Sequence, residues 1–185
     1  MVSRADQDDS GDHVTRILKD WARERPDVDV SPMAVVARIS RVARYLEVSI
    51  DATLRAYNLN HSSFGVLAAL RRAGAPYRLS PSELHNSLLI SSGTMTNRLD
   101  RLEGAGYVTR EPDPTDRRGV LVRLTDRGLA VVDEAVVAHV EGERKMLAPL
   151  TPRQQQELAD LLSQLLSTFD HGKSTPKLRD SLPAS

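Results

Sequence analysis

Residues Leu79 to Thr125 read LSPSELHNSLLISSGTMTNRLDRLEGAGYVTREPDPTDRRGVLVRLT. Leu79 sits in a short extended piece. Ser80-Pro81-Ser82-Glu83 places Pro at a first helical position inside a capping-box pattern, so that Ser80 and Glu83 satisfy each other's backbone N–H groups. The helix it opens is short and ends at about Leu88. Ile90-Ser91-Ser92-Gly93 predicts a tight turn with capping serines. The following helix turns Met95, Leu99 and Leu102 inward and stops at Gly104 or Gly106. Tyr107–Arg110 and Val120–Leu124 are β-branched or alternating and predict two strands. Glu111 to Gly119, between them, is polar, punctuated by Pro112 and Pro114, and too long for a tight hairpin turn.

Working outward, helices flank this stretch on both sides. Val14, Ile17, Leu18 and Trp21 fall at helical spacing between Asp12 and about Glu24. Ser31-Pro32 reads as an N-cap with Pro behind it, opening a long helix through Val35, Val36, Ile39, Val42, Ala43, Leu46 and Ile50 to about Tyr57. Asn60 caps the next helix, with Phe64, Leu67, Ala68 and Leu70, which Gly74 and Pro76 stop. Thr125 caps a long helix through Val131, Val132, Ala135, Val136 and Val140 to about Leu147. Thr151-Pro152-Arg153-Gln154 opens the last, which carries Leu158, Leu161, Leu162, Leu165, Leu166 and Phe169. Residues 1–11 read as a disordered tail and 171–185 as a polar one.

The chain has 185 residues, 40% hydrophobic and 27% charged, which suits a single globular domain with tails. No apolar run is long enough to span a bilayer, and the acidic start MVSRADQDDSGD is no secretory signal. With no cysteine, disulfides, thiol chemistry and Cys-ligated zinc are excluded. A cytoplasmic location is expected. The 25 basic and 25 acidic side chains cancel, but not evenly: residues 1–30 carry a net charge of −3 and residues 31–90 a net charge of +4. That distribution permits binding to nucleic acid without requiring it.

Helix, short helix, tight turn, helix and a hairpin with a long polar tip together make a mainly α (α+β) fold, a winged helix-turn-helix. The DNA major groove admits one helix, and a helix reading base edges needs small polar residues on its outer, N-terminal face. Ser91, Ser92, Thr94, Thr96, Asn97 and Arg98 supply them. The competing reading is an amphipathic surface helix that binds nothing. The hairpin tip weighs against that. Asp116-Arg117-Arg118 offers guanidinium groups of the kind a narrow minor groove attracts, and Asp116 stands two residues before Arg118, where its carboxylate can pair with the guanidinium.

Leu79–Thr125 resembles the DNA-binding lobe of the MarR family of bacterial transcriptional regulators. The specific part is the Asp-x-Arg-Arg wing followed by a strand and Leu124-Thr125-x-x-Gly128. The resemblance implies a homodimer. Residues 12–60 and 126–170 would form the helical dimerisation region, and 61–125 the winged lobe. It implies that Arg118 enters the minor groove, that Asp116 orients it, and that Ser92, Thr94, Asn97 and Arg98 face the major groove. The extra N-terminal helix is similar to that of the family branch responding to urate or related small anions. In that branch a Trp, an Asp and two Arg build the pocket. They fall on Trp21, Gly65, Arg72 and Arg98, so the carboxylate is missing here. Weak or absent urate binding is expected, with another planar anion as effector.

No Gly-rich phosphate loop or nucleophile elbow is present, so no enzyme and no cofactor are expected. His13, His61, His85, His139 and His171 are scattered, and no metal site is predicted. Double-stranded DNA and a second copy of the chain are the expected partners, with a small-molecule effector and no membrane. The alternative is a helical structural or protein-interaction dimer that has lost DNA binding.

Overall fold

Side-chain caps set most of the element boundaries in the computed structural model. It describes residues 11–88, 92–116 and 118–170, and the side chains of all of these but Ser92 and Asp170. The expected tails other than Gly11, Ile90 and Ser91 of the expected turn, Arg117 and the side chain of Ser92 therefore lie outside the described residues. The chain divides into two units, Met1–Val48 and Ser49–Ser185.

In the first unit, α1 (His13–Glu24) begins at Asp12, whose carboxylate accepts from the Thr15 backbone N–H at 2.8 Å. The same carboxylate accepts from Arg38 Nε and Nη2, at 2.8 and 3.0 Å. Arg38 lies on α2 (Ser31–Leu54), so one Asp both caps α1 and ties its start to α2. The Arg38 hydrogen bonds hold the Asp12 carboxyl well below the usual carboxylate range, helped by Thr15. The entry to α2 differs from expectation. Asp29, not Ser31, does the capping, accepting from the Ser31 N–H at 2.9 Å and from its hydroxyl at 3.1 Å. The Asp29 carboxylate reaches this first N–H of the helix from two residues upstream, in the manner of an Asx turn.

The second unit starts with the end of α2, which tightens into a 3₁₀ turn at Arg55–Tyr57 and is closed by Asn58 in the left-handed region, φ 55°. Next come α3 (His61–Arg72), β1 (Arg78–Leu79), α4 (Pro81–Leu88), α5 (Ser92–Gly104), β2 (Val108–Pro112), β3 (Val120–Leu124), α6 (Asp126–Leu147) and α7 (Pro152–Asp170). The caps at Asn60, Ser80, Thr125 and Thr151 form as expected. The strands make one antiparallel sheet in the order β1-β3-β2, with Arg78 opposite Arg123 and Val108 opposite Leu124. Phe64, Val66, Leu67 and Leu70 of α3 form the centre of the core, with Leu84, Met95, Leu99, Leu102, Val122 and Val132 also buried. Met95, Leu99 and Leu102 point inward as their spacing demands, which leaves the opposite face of α5 for solvent or a partner.

The helices after the sheet are less satisfied. None of the described side chains of α7 is buried; Leu161 is 65% exposed and Phe169 54%. On α6, Val137 is 69% exposed and Val136 and Val140 are open as well. In the first unit, α2 exposes Val35, Val36, Val42 and Val48. Exposed apolar faces of this kind mark interaction sites in soluble proteins.

Candidate nucleic-acid interface

Helix α5 carries its polar residues where the sequence places them. Thr96 and Asn97 are exposed, while Thr94 and Arg98 are half-buried. Thr94, Asn97, Arg98 and Arg101 line one side of a pocket of about 230 Å³, and Asn60, Ser62 and Ser63 at the start of α3 line the other. The lining holds two guanidinium groups and no carboxylate. Partial burial alone lowers the Arg98 pKa from the usual arginine value, and a guanidinium still keeps its charge at neutral pH. The pocket is therefore positive, lined with hydroxyl and amide groups, and shared between α3 and the outer face of α5.

Arg72, expected beside Arg98, is exposed at the last turn of α3 and does not line this pocket. Trp21 belongs to the first unit and is 44% exposed on α1. Gly65 lies on α3, where an added Cβ would meet Leu88 Cδ2 at 3.4 Å, an ordinary contact.

The wing tip is built differently from the sequence expectation. Asp116 was expected to pair with the Arg118 guanidinium. Instead, its Oδ1 accepts from the Arg118 backbone N–H at 3.0 Å. This is an Asx turn, in which the short carboxylate reaches the main chain two residues on before it reaches a side-chain tip. Arg118 itself is exposed. Asp113, in the polar stretch between the strands, repeats the device on Thr115, taking its N–H at 2.8 Å and its hydroxyl at 2.7 Å. Asp113 N–H then bonds Gly119 O, and Gly119 N–H bonds Asp116 O, closing the tip. A Cβ on Gly119 would stand 2.8 Å from the Asp113 Cβ, so only glycine fits. The signal for Asp113 was present, in an Asp two residues before a Thr with Pro between.

The Leu124-Thr125-x-x-Gly128 motif turns out to be a joint. The Thr125 hydroxyl donates to Gly106 O at 2.7 Å and accepts from the Gly128 N–H at 3.0 Å. The Thr125 N–H donates to Tyr107 O at 3.1 Å. Gly128 lies so close to that carbonyl that an added Cβ would sit 1.9 Å from Tyr107 O. The motif thus docks the start of α6 onto the turn between α5 and β2. Below the tip, Glu111 accepts from Arg78 Nη1 at 3.2 Å and from Arg123 Nε at 3.0 Å, joining the outer strands to the centre of the sheet. Those bonds, Arg123 first, depress the Glu111 pKa. Among the described residues no group of three or more His, Asp or Glu side chains could hold a metal ion, and no helix is long and apolar enough to cross a membrane.

Comparison with known proteins places this lobe. The model of the MarR family matches residues 57–119, the end of α2 to the wing tip. The HTH-type transcriptional regulator PecS of Dickeya dadantii is 43% identical over 152 residues, 82% of this chain and 92% of that protein. A mutant MarR from E. coli complexed with operator DNA matches with a TM-score of 0.67 at 29% identity, covering 75% of this chain and 96% of that one. Sco3205, a MarR family regulator from Streptomyces coelicolor in complex with DNA, matches with a TM-score of 0.71 at 28% identity, covering 79% and 95%.

Proposed function

The chain belongs to the MarR family of DNA-binding transcriptional regulators, which are not enzymes, and on that premise we propose that it represses transcription as a homodimer. Two copies bind a pseudopalindromic operator, one lobe to each half-site. The half-sites lie about 10 bp apart, since recognition helices in successive major grooves on one face of DNA sit about 34–36 Å apart. Promoter occlusion in the cytoplasm is the mode of action.

The observation that carries this reading is that one lobe presents two surfaces suited to DNA. One is the open polar face of α5, with Thr94, Thr96, Asn97 and Arg98. The other is a wing tip closed by hydrogen bonds that leaves Arg118 in solvent. Asn pairs with adenine and Arg with guanine in the major groove, and Arg suits the minor groove. Ser91, Ser92 and Arg117 belong to the same two surfaces by sequence. The second copy is supported by α7, an apolar helix none of whose described side chains is buried. It covers that face and the valines of α6.

The effector is a small planar anion. Its support is the positive pocket, where Arg98 and Arg101 stand without a carboxylate and Asn60, Ser62 and Ser63 supply hydrogen bonds. Because Thr94, Asn97 and Arg98 serve both pocket and DNA face, an anion bound there competes with the operator, and the coupling is set by its differential affinity for the two states. A footprint over DNA upstream of the gene, with sedimentation to count subunits, tests the whole reading. A two-half-site footprint by a dimer is expected. A dimer that gives no protection at low salt would leave the interaction-dimer alternative standing.

A further inference from the structure

The recognition helix and the wing strand are joined by a side chain that neither reading of the DNA face uses. Arg110, on β2, is 30% exposed and reaches back across the lobe to α5. Its Nη1 donates to Glu103 at 2.6 Å and its Nη2 to Asp100 at 2.7 Å. Its backbone N–H donates to the other Glu103 oxygen at 3.1 Å. β2 is an edge strand, paired only with β3, so Glu103 occupies a strand donor that would otherwise face solvent. Asp100 and Glu103 stand three apart on α5, where like charges repel. One guanidinium fork therefore holds two turns of the helix and the strand in a fixed relation.

We propose that Arg110 is a positioning residue for operator recognition, fixing α5 relative to the wing so that helix and Arg118 enter neighbouring grooves together. This rests on the reading that both devices touch DNA. The apolar side chains of the two elements, Leu99 and Leu102 on α5 and Val108 on β2, are buried, but apolar burial resists sliding weakly, because it is non-directional. Three hydrogen bonds from one residue set direction. Two rigid readers gain only if their spacing matches the DNA; a loosened pair loses one reader's contacts whenever it makes the other's. Arg110 directs its charge to the two carboxylates of α5.

The test uses the full-length protein, the operator fragment it selects from random duplex, and an unrelated duplex of equal length. Arg110→Gln is expected to weaken operator binding by about tenfold or more. Its affinity for the unrelated duplex, and the slope of log affinity against log salt, should match the parent. The triple variant Asp100→Asn, Glu103→Gln, Arg110→Gln should stay as weak as the single one. A slope smaller by about 0.9 would mean that Arg110 touches a phosphate directly, and overturns the proposal. Restored affinity in the triple variant would make Arg110 a mere neutraliser, and also overturns it. Arg118→Ala separates the two layers. If that variant binds as the parent does, the wing reading falls and this inference with it. If it is impaired while Arg110→Gln is not, only the clamp is wrong. Should Arg110→Gln melt below the assay temperature, Arg110→Lys decides: it keeps the charge but cannot fork, and parent-like operator affinity there overturns the clamp.

Discussion

Gly128→Ala puts a single methyl group into the joint between α6 and the winged lobe. The added Cβ would lie 1.9 Å from Tyr107 O, where real Cβ contacts stay beyond 3.0 Å. The two atoms must part by about 1 Å, and neither is at the end of a flexible side chain. Tyr107 is buried and its carbonyl accepts the Thr125 N–H, so moving it opens that bond and disturbs the cap. Losing the bond and the cap costs about 1 kcal/mol each, and residual overpacking about 1–3 more. Replacing Gly by Ala within a helix returns about 1 kcal/mol. The net loss is about 2–4 kcal/mol, or a fall in melting temperature of about 4–16 °C for a chain of this size. Calorimetry at one fixed protein concentration reads it, since subunit association makes the midpoint concentration-dependent. Gly104→Ala is the control: nothing lies within 4 Å of its added Cβ, so its melting temperature should hold or rise. If Gly128→Ala melts with the parent, the joint yields without cost and the account of the motif is wrong.

Arg118→Ala should weaken operator binding by about 1–3 kcal/mol, read by band shift at constant salt, and equal affinity would refute the minor-groove assignment. Asp113→Ala and Asp116→Ala should act through the shape of the tip, so each should weaken binding by less than Arg118→Ala and leave melting nearly unchanged. Leu161→Asp with Leu165→Asp should convert the dimer to monomers in sedimentation, because each buried leucine contributes about 1.5–3 kcal/mol; a dimer that persists would remove α7 from the interface. Operator complexes of the parent should survive micromolar urate, whereas Gly65→Asp, for which the backbone has room, should gain some urate release; release of the parent itself would show that the missing carboxylate is irrelevant.

What the sequence made legible is what short range decides. The caps at Asn60, Ser80, Thr125 and Thr151 are closed by partners three residues away, so the pattern contains both halves of each bond. The buried side of α5 follows from 3.6-residue spacing alone. The failures are of two kinds. At Ser31 and Asp116 the participants were visible, but in each case a carboxylate takes the backbone N–H two residues on, a bond that the expected cap and ion pair did not contain. At Arg110 the partners are seven and ten residues back on another element, and no periodicity announces such a contact. The pocket has the same character. Arg98 was singled out as a ligand residue, but its neighbours Asn60, Ser62 and Ser63 come from the start of α3, while Arg72, expected beside it, sits at the far end of that helix.

The neutral composition gives these structural bonds their weight. A regulator with a large positive charge gathers DNA by counterion release and can tolerate loose geometry. This chain has formal net charge zero, and only residues 31–90 carry a marked excess of +4. Long-range attraction is therefore small, and affinity has to come from a few contacts made simultaneously at the correct spacing. On the proposed mode of binding, that places the burden on parts behind the reading faces: two Asx turns and a forced glycine that shape the wing tip, a threonine and a glycine that seat α6, and an arginine between helix and strand. Each fixes one relative position among surfaces that act only together. The apolar helices extend the same logic to the second copy, because half-sites can be read in register only if the two lobes are held at one separation.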